Sequence, residues 1–227
     1  MVCRRLLLYD VPQHTMKNNP WDHIWLTIGH GSGITLRIES DIDADTFMDL
    51  ASTSIGSLLL QDLIGETSEH NIAHLNRICL EHALYLATHC YGSFVVMKLV
   101  QESTTPAFVS DLCYAFVGEI SSLAMHRCGS RVLERIIENC DCTQVDFFFD
   151  EFVLHSPQIV RHKYGNYVVQ RMLEHGPQLW RRRCLLSILD SAPFIGKSNI
   201  FVRCALSATY IQSEDEFIIR TLRPLFG

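Results

Sequence analysis

The segment GNYVVQRML, from Gly165 to Leu173, decides the fold because the chain repeats it at a nearly constant step. Its other copies are GSLLLQDLI, GSFVVMKLV, GSRVLERII and, more weakly, KSNIFVRCA, which begin at Gly56, Gly92, Gly129 and Lys197. The steps between their first residues are 36, 37, 36 and 32. Self-similarity at this period predicts stacked supersecondary units rather than one compact globule.

Each copy carries apolar side chains at the spacing i, i+1, i+4, i+5, which gives a helix one buried stripe. In the copy at Gly165 the stripe consists of Val168, Val169, Met172 and Leu173. The same offsets in the last copy give Ile200, Phe201, Cys204 and Ala205. We assign these positions to the core.

Turn and capping signals place two further helices around each copy. In the fourth unit, Ser156-Pro157 predicts the start of a short first helix, and Gln178 to Leu189 is the predicted third helix. In the third unit we expect the third helix from about Thr143 to Leu154. The sequence therefore predicts an all-α solenoid of three-helix units, with repeats at 41–78, 79–115, 116–152, 153–188 and 189–227.

Residues 1–40 do not fit the repeat. Ile24, Leu26 and Ile28, then Ile34, Leu36 and Ile38, alternate around a glycine-rich segment, which predicts a β-hairpin within residues 22–38. We expect this N-terminal extension to cap the solenoid.

The composition argues against several classes of protein. The 227 residues carry a formal charge of −6, which disfavours a protein that holds nucleic acid mainly by neutralising phosphates. Nine cysteines without a CxxC pair predict reduced, buried thiols. His89, His126 and His162 recur in phase, but their repeat-length spacing favours a structural role over a metal site. We expect no catalytic residue, no metal and no cofactor.

Three positions of each copy vary in a way that suggests recognition. The residue after the glycine and the residue four further on share a helix face, and we call them the first and second edge positions. The residue directly after the first edge position is expected to point into the gap between one repeat and the next, and we call it the stacking position. The first edge residues are Ser57, Ser93, Ser130, Asn166 and Ser198. The stacking residues are Leu58, Phe94, Arg131, Tyr167 and Asn199, and the second edge residues are Gln61, Met97, Glu134, Gln170 and Val202.

A polar pair plus a flat side chain on each unit is what recognition of one base per repeat requires. Glu134 only accepts hydrogen bonds and suits guanine, which presents two neighbouring N–H groups. Asn166 and Gln170 each offer a donor and an acceptor, which suits uracil, and Ser57 with Gln61 suits adenine. The copies with Met97 and Val202 should be permissive.

At these positions the chain resembles the Pumilio (PUF) family of RNA-binding proteins. The resemblance rests on HKYGNYVVQ from His162, on ATHCYGSFVV from Ala87 and on AMHRCGSRVL from Ala124. The last copy resembles the SNVVEKC variant of the family, with Val202 where glutamate is expected. The resemblance covers about residues 41–227 and implies a crescent of three-helix repeats whose concave face carries the second helices and binds single-stranded RNA.

The resemblance also implies an antiparallel order, in which later repeats contact earlier bases. The predicted element is 5′-UGNA-3′, preceded by one loosely recognised base from the last copy. The implied partner is mRNA, in its 3′ untranslated region, together with a protein co-regulator in the control of mRNA stability or translation. We expect a monomeric cytoplasmic protein without membrane contact, with a nuclear or nucleolar location as the alternative.

Two other functions remain open from the sequence. The first is binding of structured RNA in ribosome biogenesis, as in divergent nucleolar relatives. The second is a protein-binding or degenerate α-solenoid without RNA affinity, which Met97 and Val202 favour and the Asn166, Tyr167 and Gln170 triplet opposes.

Overall fold

The computed structural model describes residues 24–28, 34–38, 42–66, 68–103, 106–139, 145–191 and 199–226. A two-stranded antiparallel hairpin comes first, in which β1 (Ile24–Ile28) pairs with β2 (Ile34–Ile38). Ile24 is the partner of Ile38, and Ile28 is the partner of Ile34. This pairing confirms the predicted hairpin.

Thirteen helices make up the rest of the described structure. They are α1 (Ala44–Ala51), α2 (Ser54–Glu66), α3 (Glu69–Glu81), α4 (Ala83–Thr88), α5 (Gly92–Glu102), α6 (Pro106–Ala115), α7 (Ile120–Met125), α8 (Gly129–Asn139), α9 (Asp146–Ile159), α10 (Gly165–His175), α11 (Gln178–Ser191), α12 (Ile200–Gln212) and α13 (Glu216–Phe226). None of them, within the residues described, has the length and apolar character needed to cross a bilayer. Strand β2 lies next to α2, at the N-terminal end of the stack.

The second helices of successive units pack side by side. Helix α2 packs against α5, α5 against α8, α8 against α10, and α10 against α12. In α5, α8 and α10 every position of the predicted apolar stripe is buried. These stripes belong to one continuous hydrophobic core, so the stack is held together as the periodicity predicts.

The repeated glycine is needed because the first helix passes very close to the second. A Cβ added at Gly165 would stand 2.3 Å from the carbonyl oxygen of Ile159, closer than any real contact. The same approach recurs at Gly56 with Leu50 (2.3 Å), Gly92 with Leu86 (3.1 Å) and Gly129 with Leu123 (2.8 Å). The backbone of the first helix therefore occupies the space that a side chain would need.

The histidines that recur in phase cap the second helices. His126 Nδ1 accepts hydrogen bonds from the backbone N–H groups of Cys128 and Gly129, each at 3.2 Å. Such N–H groups have no partner within their own helix. His89 makes the same contacts with Tyr91 and Gly92, and His162 makes one with Tyr164.

The predicted helix start at Ser156-Pro157 is wrong, because α9 continues through both residues to Ile159. Proline has no N–H, so the carbonyl oxygen of Val153 lacks its usual helical donor. Two hydroxyls replace that donor, Ser156 Oγ at 2.8 Å and Ser187 Oγ of α11 at 3.2 Å. The third helix of unit three and the first helix of unit four are consequently one helix, which also runs past the predicted end at Leu154.

The predicted apolar stripe of the last copy is also wrong at two positions. Ile200 is 69% exposed and Cys204 is exposed, whereas Val202 and Leu206 are buried. Helix α12 begins at Ile200, with Asn199 as its N-cap, while α5, α8 and α10 begin at the glycine itself. Along with this later start, the residues of α12 that face the core are displaced along the sequence relative to the predicted stripe.

A carboxylate from α9 holds the turn before α7. Glu151 accepts hydrogen bonds from the backbone N–H groups of Gly118, at 2.9 Å, and Ile120, at 3.2 Å. Gly118 has a φ of 82°, a conformation that other residues rarely adopt. The contact therefore ties α9 to the start of α7.

We expect Glu151→Ala to lower the free energy of unfolding by about 1–2 kcal/mol, as for loss of a helix cap. Asp150→Ala is the matched control, because Asp150 is exposed and pairs with Arg183 at 2.8 Å on the surface, where such pairs contribute about 0–1 kcal/mol. Urea denaturation measures both. Equal losses in the two variants would contradict a capping role for Glu151.

Several predictions concern residues outside the described ranges. These are most of the predicted N-terminal cap of residues 1–40, the turn between the two strands, the helix start at Thr143, and Ser198. The repeat boundaries given above stay predictions.

Candidate nucleic-acid interface

The stacking residues of the first four units form a column of exposed side chains. Leu58 is 58% exposed, Phe94 39% and Tyr167 56%, and Arg131 is exposed as well. They lie near the starts of α2, α5, α8 and α10, which are neighbours in the stack. We call the surface that carries them the second-helix face. Large apolar and planar side chains in solvent are costly unless they meet a partner, which marks this face as a candidate interface.

The first edge residues lie beneath this column. Ser57, Ser93, Ser130 and Asn166 are all 2–3% exposed. The Ser57 hydroxyl donates to the carbonyl oxygen of Ser54 at 3.0 Å, and the Asn166 amide donates to the carbonyl oxygen of Lys163 at 2.9 Å. Ser57 and Asn166 are therefore bonded to carbonyl oxygens three residues earlier, and the four buried side chains contribute to the floor of the interface.

The second edge residues are half-buried and lie one turn further along each helix. Gln61, Met97, Glu134 and Gln170 share this intermediate exposure. The structure brings the two edge positions together in two units. Gln170 Nε2 donates to Asn166 Oδ1 at 3.1 Å, and Gln61 Nε2 donates to the Ser57 carbonyl oxygen at 3.0 Å. In both glutamines these bonds use the amide nitrogen, and the side-chain oxygen is an acceptor of the kind that a base N–H group requires.

Glu134 is the most electrostatically distinctive of these residues. Burial is the largest influence and raises the pKa of its carboxyl above that of an ordinary glutamate. Arg171 lowers that pKa, Glu138 raises it, and Arg131 and Arg135 lower it. A carboxylate that has lost water in this way gains most from a ligand that supplies N–H donors.

An ion-pair ladder runs beside the edge positions. Arg135 pairs with Glu138 at 3.1 Å, Glu138 with Arg171 at 3.2 Å, and Arg171 with Glu174 at 3.1 Å. This ladder was not predicted from the sequence, although the i, i+3 spacing of opposite charges in α8 and α10 was a signal for it. Arg135 and Arg171 are thus paired with carboxylates and are not free phosphate-binding groups.

The last unit does not present the predicted residues in the same way. Asn199 Oδ1 accepts from the backbone N–H groups of Phe201, at 2.8 Å, and Val202, at 3.3 Å. Val202 itself is only 2% exposed, unlike the four half-buried second edge residues. Val202, the predicted second edge residue, is therefore not at the surface, and Ser198, the predicted first edge residue, lies outside the described residues.

Other candidate sites are occupied by contacts within the protein. In the basic run of α11, Arg181 and Arg182 pair with Asp215 at 3.7 and 3.1 Å, and Arg183 lies over the Trp180 ring at 4.3 Å. Across the part of the chain that the structure describes, no group of three or more His, Cys, Asp or Glu side chains is arranged to hold a metal ion.

The comparison with protein families agrees with this geometry. The model of the NOP9-like PUF repeat domain matches residues 38–143 and 130–199, well over half of the chain. The chain belongs to this PUF family. The family resemblance predicted from the repeated segments is thereby confirmed.

Individual relatives are distant and longer than this PUF chain. A Pumilio domain-containing protein of Schizosaccharomyces pombe is 23% identical over 150 residues, which are 65% of this chain and 22% of that protein. The solved Puf4 RNA binding domain bound to the HO endonuclease RNA 3′ UTR recognition sequence has a TM-score of 0.71 at 18% identity, covering 81% of this chain and 58% of that chain. The Puf3 RNA binding domain bound to the Cox17 RNA 3′ UTR recognition sequence has a TM-score of 0.69 at 17% identity, covering 78% and 50%.

These likenesses establish the architecture. The chain spans less than two thirds of the length of the relatives it matches. At such identities the structural similarity shows the fold, which is the PUF-type α-solenoid of three-helix repeats. The predicted fold class is thereby confirmed.

Proposed function

We propose that this PUF chain binds single-stranded RNA with sequence selectivity, one base to each repeat, and acts on mRNA in post-transcriptional regulation. The observation that carries the proposal is the repeated geometry of the second-helix face. Four exposed stacking residues stand in register, each with a half-buried second edge residue three positions further along the same helix. A base that stacks on the first side chain would present its edge to the second.

The edge chemistry gives the proposed element 5′-UGNA-3′. Asn166 and Gln170 recognise uracil, Ser130 and Glu134 guanine, and Ser57 and Gln61 adenine, in the antiparallel order implied by the family. Met97 offers no hydrogen bond to a base edge, so the third position is unrestricted. Because Arg135 and Arg171 are paired within the ladder, stacking and edge contacts supply more of the affinity than phosphate contacts do.

The experiment that tests the proposal uses fluorescence anisotropy with three labelled RNAs. One is a ten-nucleotide strand containing UGUA, the second has cytosine in place of its guanine, and the third closes the same UGUA into the stem of a hairpin. We expect the first to bind about 10- to 100-fold more tightly than the second, because one bidentate contact contributes about 1–3 kcal/mol. Equal affinity for the two single strands would contradict the proposal.

The hairpin distinguishes a second candidate, binding of structured RNA in ribosome biogenesis. The observation in its favour is that the matching family model is the NOP9-like domain. The edge residue Met97, which cannot hydrogen-bond to a base edge, also weakens the case for strict sequence recognition. Tighter binding of the hairpin than of either single strand would favour this candidate.

Guanine recognition should depend on pH through Glu134. Only the ionised carboxylate accepts both guanine N–H groups, and burial raises its pKa in the free protein. Discrimination between guanine and cytosine is therefore complete at neutral pH. It declines as the pH falls through the raised pKa, at a higher pH than for an ordinary glutamate of pKa about 4.3.

The measurement is the ratio of the two dissociation constants from neutral pH down to about pH 4.5. Acidification does not unfold the chain through this group, because a raised carboxyl pKa means that protonation favours the folded state. Glu134→Gln should show a ratio that does not change with pH. A pH-independent ratio in the unmodified protein would contradict the role of Glu134.

A further inference from the structure

The surface of α12 differs from the other second helices in one systematic way. In α10 the side chain of Tyr167 is 56% exposed, and that of Gln170, three residues later, is half-buried. In α12 the residue that is as exposed as Tyr167 is Ile200, at 69%, and the residue three positions later is the exposed Arg203.

The buried positions show the same displacement. Helix α10 buries Val168, Val169, Met172 and Leu173, which are the residues one, two, five and six positions after Tyr167. The residues at those distances after Ile200 are Phe201, Val202, Ala205 and Leu206. The first of them is half-buried, and the other three are 0–2% exposed. By this pattern of burial, Ile200 holds the position in α12 that Tyr167 holds in α10. The sequence pattern instead places Asn199 there, one residue earlier.

The N-cap contacts fix where the Asn199 side chain lies. Its side-chain oxygen accepts from two N–H groups of the first turn of α12, and its amide nitrogen lies 3.5 Å from the carbonyl oxygen of Arg161. Asn199 is thereby held against the backbone and is only half-exposed, whereas Ile200 is 69% exposed. Ile200, the next residue, is the first side chain of α12 that points away from the core.

We propose that the fifth repeat contacts RNA through Ile200 and Arg203 and selects cytosine directly before the UGNA element. This inference rests on the proposed function. Arg203 forms no ion pair with any described residue, in contrast to Arg135 and Arg171 of the ladder. Its guanidinium donates from two neighbouring nitrogens and accepts nothing, so it complements a base edge with two neighbouring acceptors. On the Watson–Crick edge, which the other repeats are proposed to contact, cytosine provides that pair through N3 and O2.

The alignment of Ile200 in α12 with Tyr167 in α10, which we call the frame of α12, can be tested without RNA. Ile200→Asp and Val202→Asp place the same carboxylate in the same first turn, where the helix dipole favours both alike. We expect hydrogen-exchange protection across residues 200–212 to survive Ile200→Asp and to be lost in Val202→Asp, because only the latter buries a charge. Equal protection in the two variants, or loss confined to Ile200→Asp, overturns the frame.

Base selection is tested with four RNAs that contain XUGUA, where X is each base in turn. The unmodified protein should bind the cytosine RNA about 10-fold or more tightly than the others. Arg203→Ala and Arg203→Lys should both abolish this preference, since lysine keeps the charge but not the planar fork. Val202→Ala should keep it.

The outcomes separate this inference from the proposed function. Indifference to X, or preference for another base, together with intact guanine discrimination overturns the assignment of Arg203 alone. A preference for cytosine that Val202→Ala abolishes and Arg203→Ala leaves unchanged also overturns it. Loss of guanine discrimination in the unmodified protein overturns the proposed function, and with it this inference.

Discussion

Replacing Gly165 by alanine should destabilise the chain although alanine is the better helix former. The added Cβ would stand 2.3 Å from the carbonyl oxygen of Ile159 and 2.8 Å from its Cγ2 atom. A backbone oxygen cannot move aside as a flexible side chain can, so α10 must shift away from α9. We expect the free energy of unfolding to fall by about 1–3 kcal/mol, the usual cost of overpacking. Urea denaturation followed by circular dichroism measures the change.

Gly65→Ala is the matched control for Gly165→Ala. Gly65 also lies within a helix, but it is exposed, and an added Cβ meets only the flexible end of Lys98 at 3.4 Å. Alanine should therefore stabilise this position by about 0.5–1 kcal/mol through its helix propensity. A Gly165→Ala variant that is as stable as Gly65→Ala would show that the close approach between the helices does not constrain the repeat.

Changing Glu134 to glutamine should remove the preference for guanine at one position of the RNA. The amide presents N–H groups to the N–H groups of guanine, so at least one hydrogen bond is lost and two donors meet. We expect affinity for UGUA to fall about 10- to 100-fold, in line with 1–3 kcal/mol for a bidentate contact. The new pair, Ser130 with glutamine, equals Ser57 with Gln61, so adenine should become acceptable at that position.

Glu138→Gln is the control for this substitution. Glu138 lies one turn further along α8 and holds Arg171 in the ladder, so its loss changes local charge without touching an edge position. It should leave the ratio between guanine and cytosine RNAs unchanged. If Glu138→Gln reduced that ratio as much as Glu134→Gln does, the discrimination would come from the local field and not from a contact with the base.

Local pattern was sufficient to predict the parts of the fold that repeat. The stripe that ends at Leu173 is core in the structure because an i, i+1, i+4, i+5 spacing leaves a helix only one way to bury its apolar side chains. The third helix predicted from Gln178 to Leu189 was found from Gln178 to Ser191. The three segments that carry the family resemblance also lie within the residues that the family model matches.

One error arose where a distant side chain overrides a local signal. Pro157 is a sound helix start in isolation, but Ser187 from another helix supplies a donor to the Val153 carbonyl and α9 continues. That contact cannot be inferred from residue spacing along the chain. The error in the last copy is local, because the cap formed by Asn199 begins α12 late and the apolar stripe moves by one residue. Asparagine is a preferred N-cap residue, so the sequence held a signal for this later start.

The candidate interface, too, could be predicted from the sequence only in part. The exposed column that includes Phe94 and Tyr167 followed from helical periodicity, whereas the burial of the first edge residues did not. The net charge of −6 predicts that phosphate contacts are not the main source of affinity, and the ladder pairs two arginines that could otherwise make them. Two of its ion pairs lie within one helix at i, i+3 spacing, whereas the pair between Glu138 and Arg171 joins two helices and is seen only in the three-dimensional stack.

The central claim, that each repeat selects its own base in antiparallel order, is tested most directly by copying one edge pair into another repeat. The double substitution Asn166→Ser and Gln170→Glu gives the fourth unit the same edge pair as the third. Affinities for RNAs with each base at every position of UGUA are then compared with those of the unmodified protein. We predict that the preferred first base changes from uracil to guanine while the other three positions keep their preferences. An unchanged preference at the first position, or a change at any other, would contradict the account.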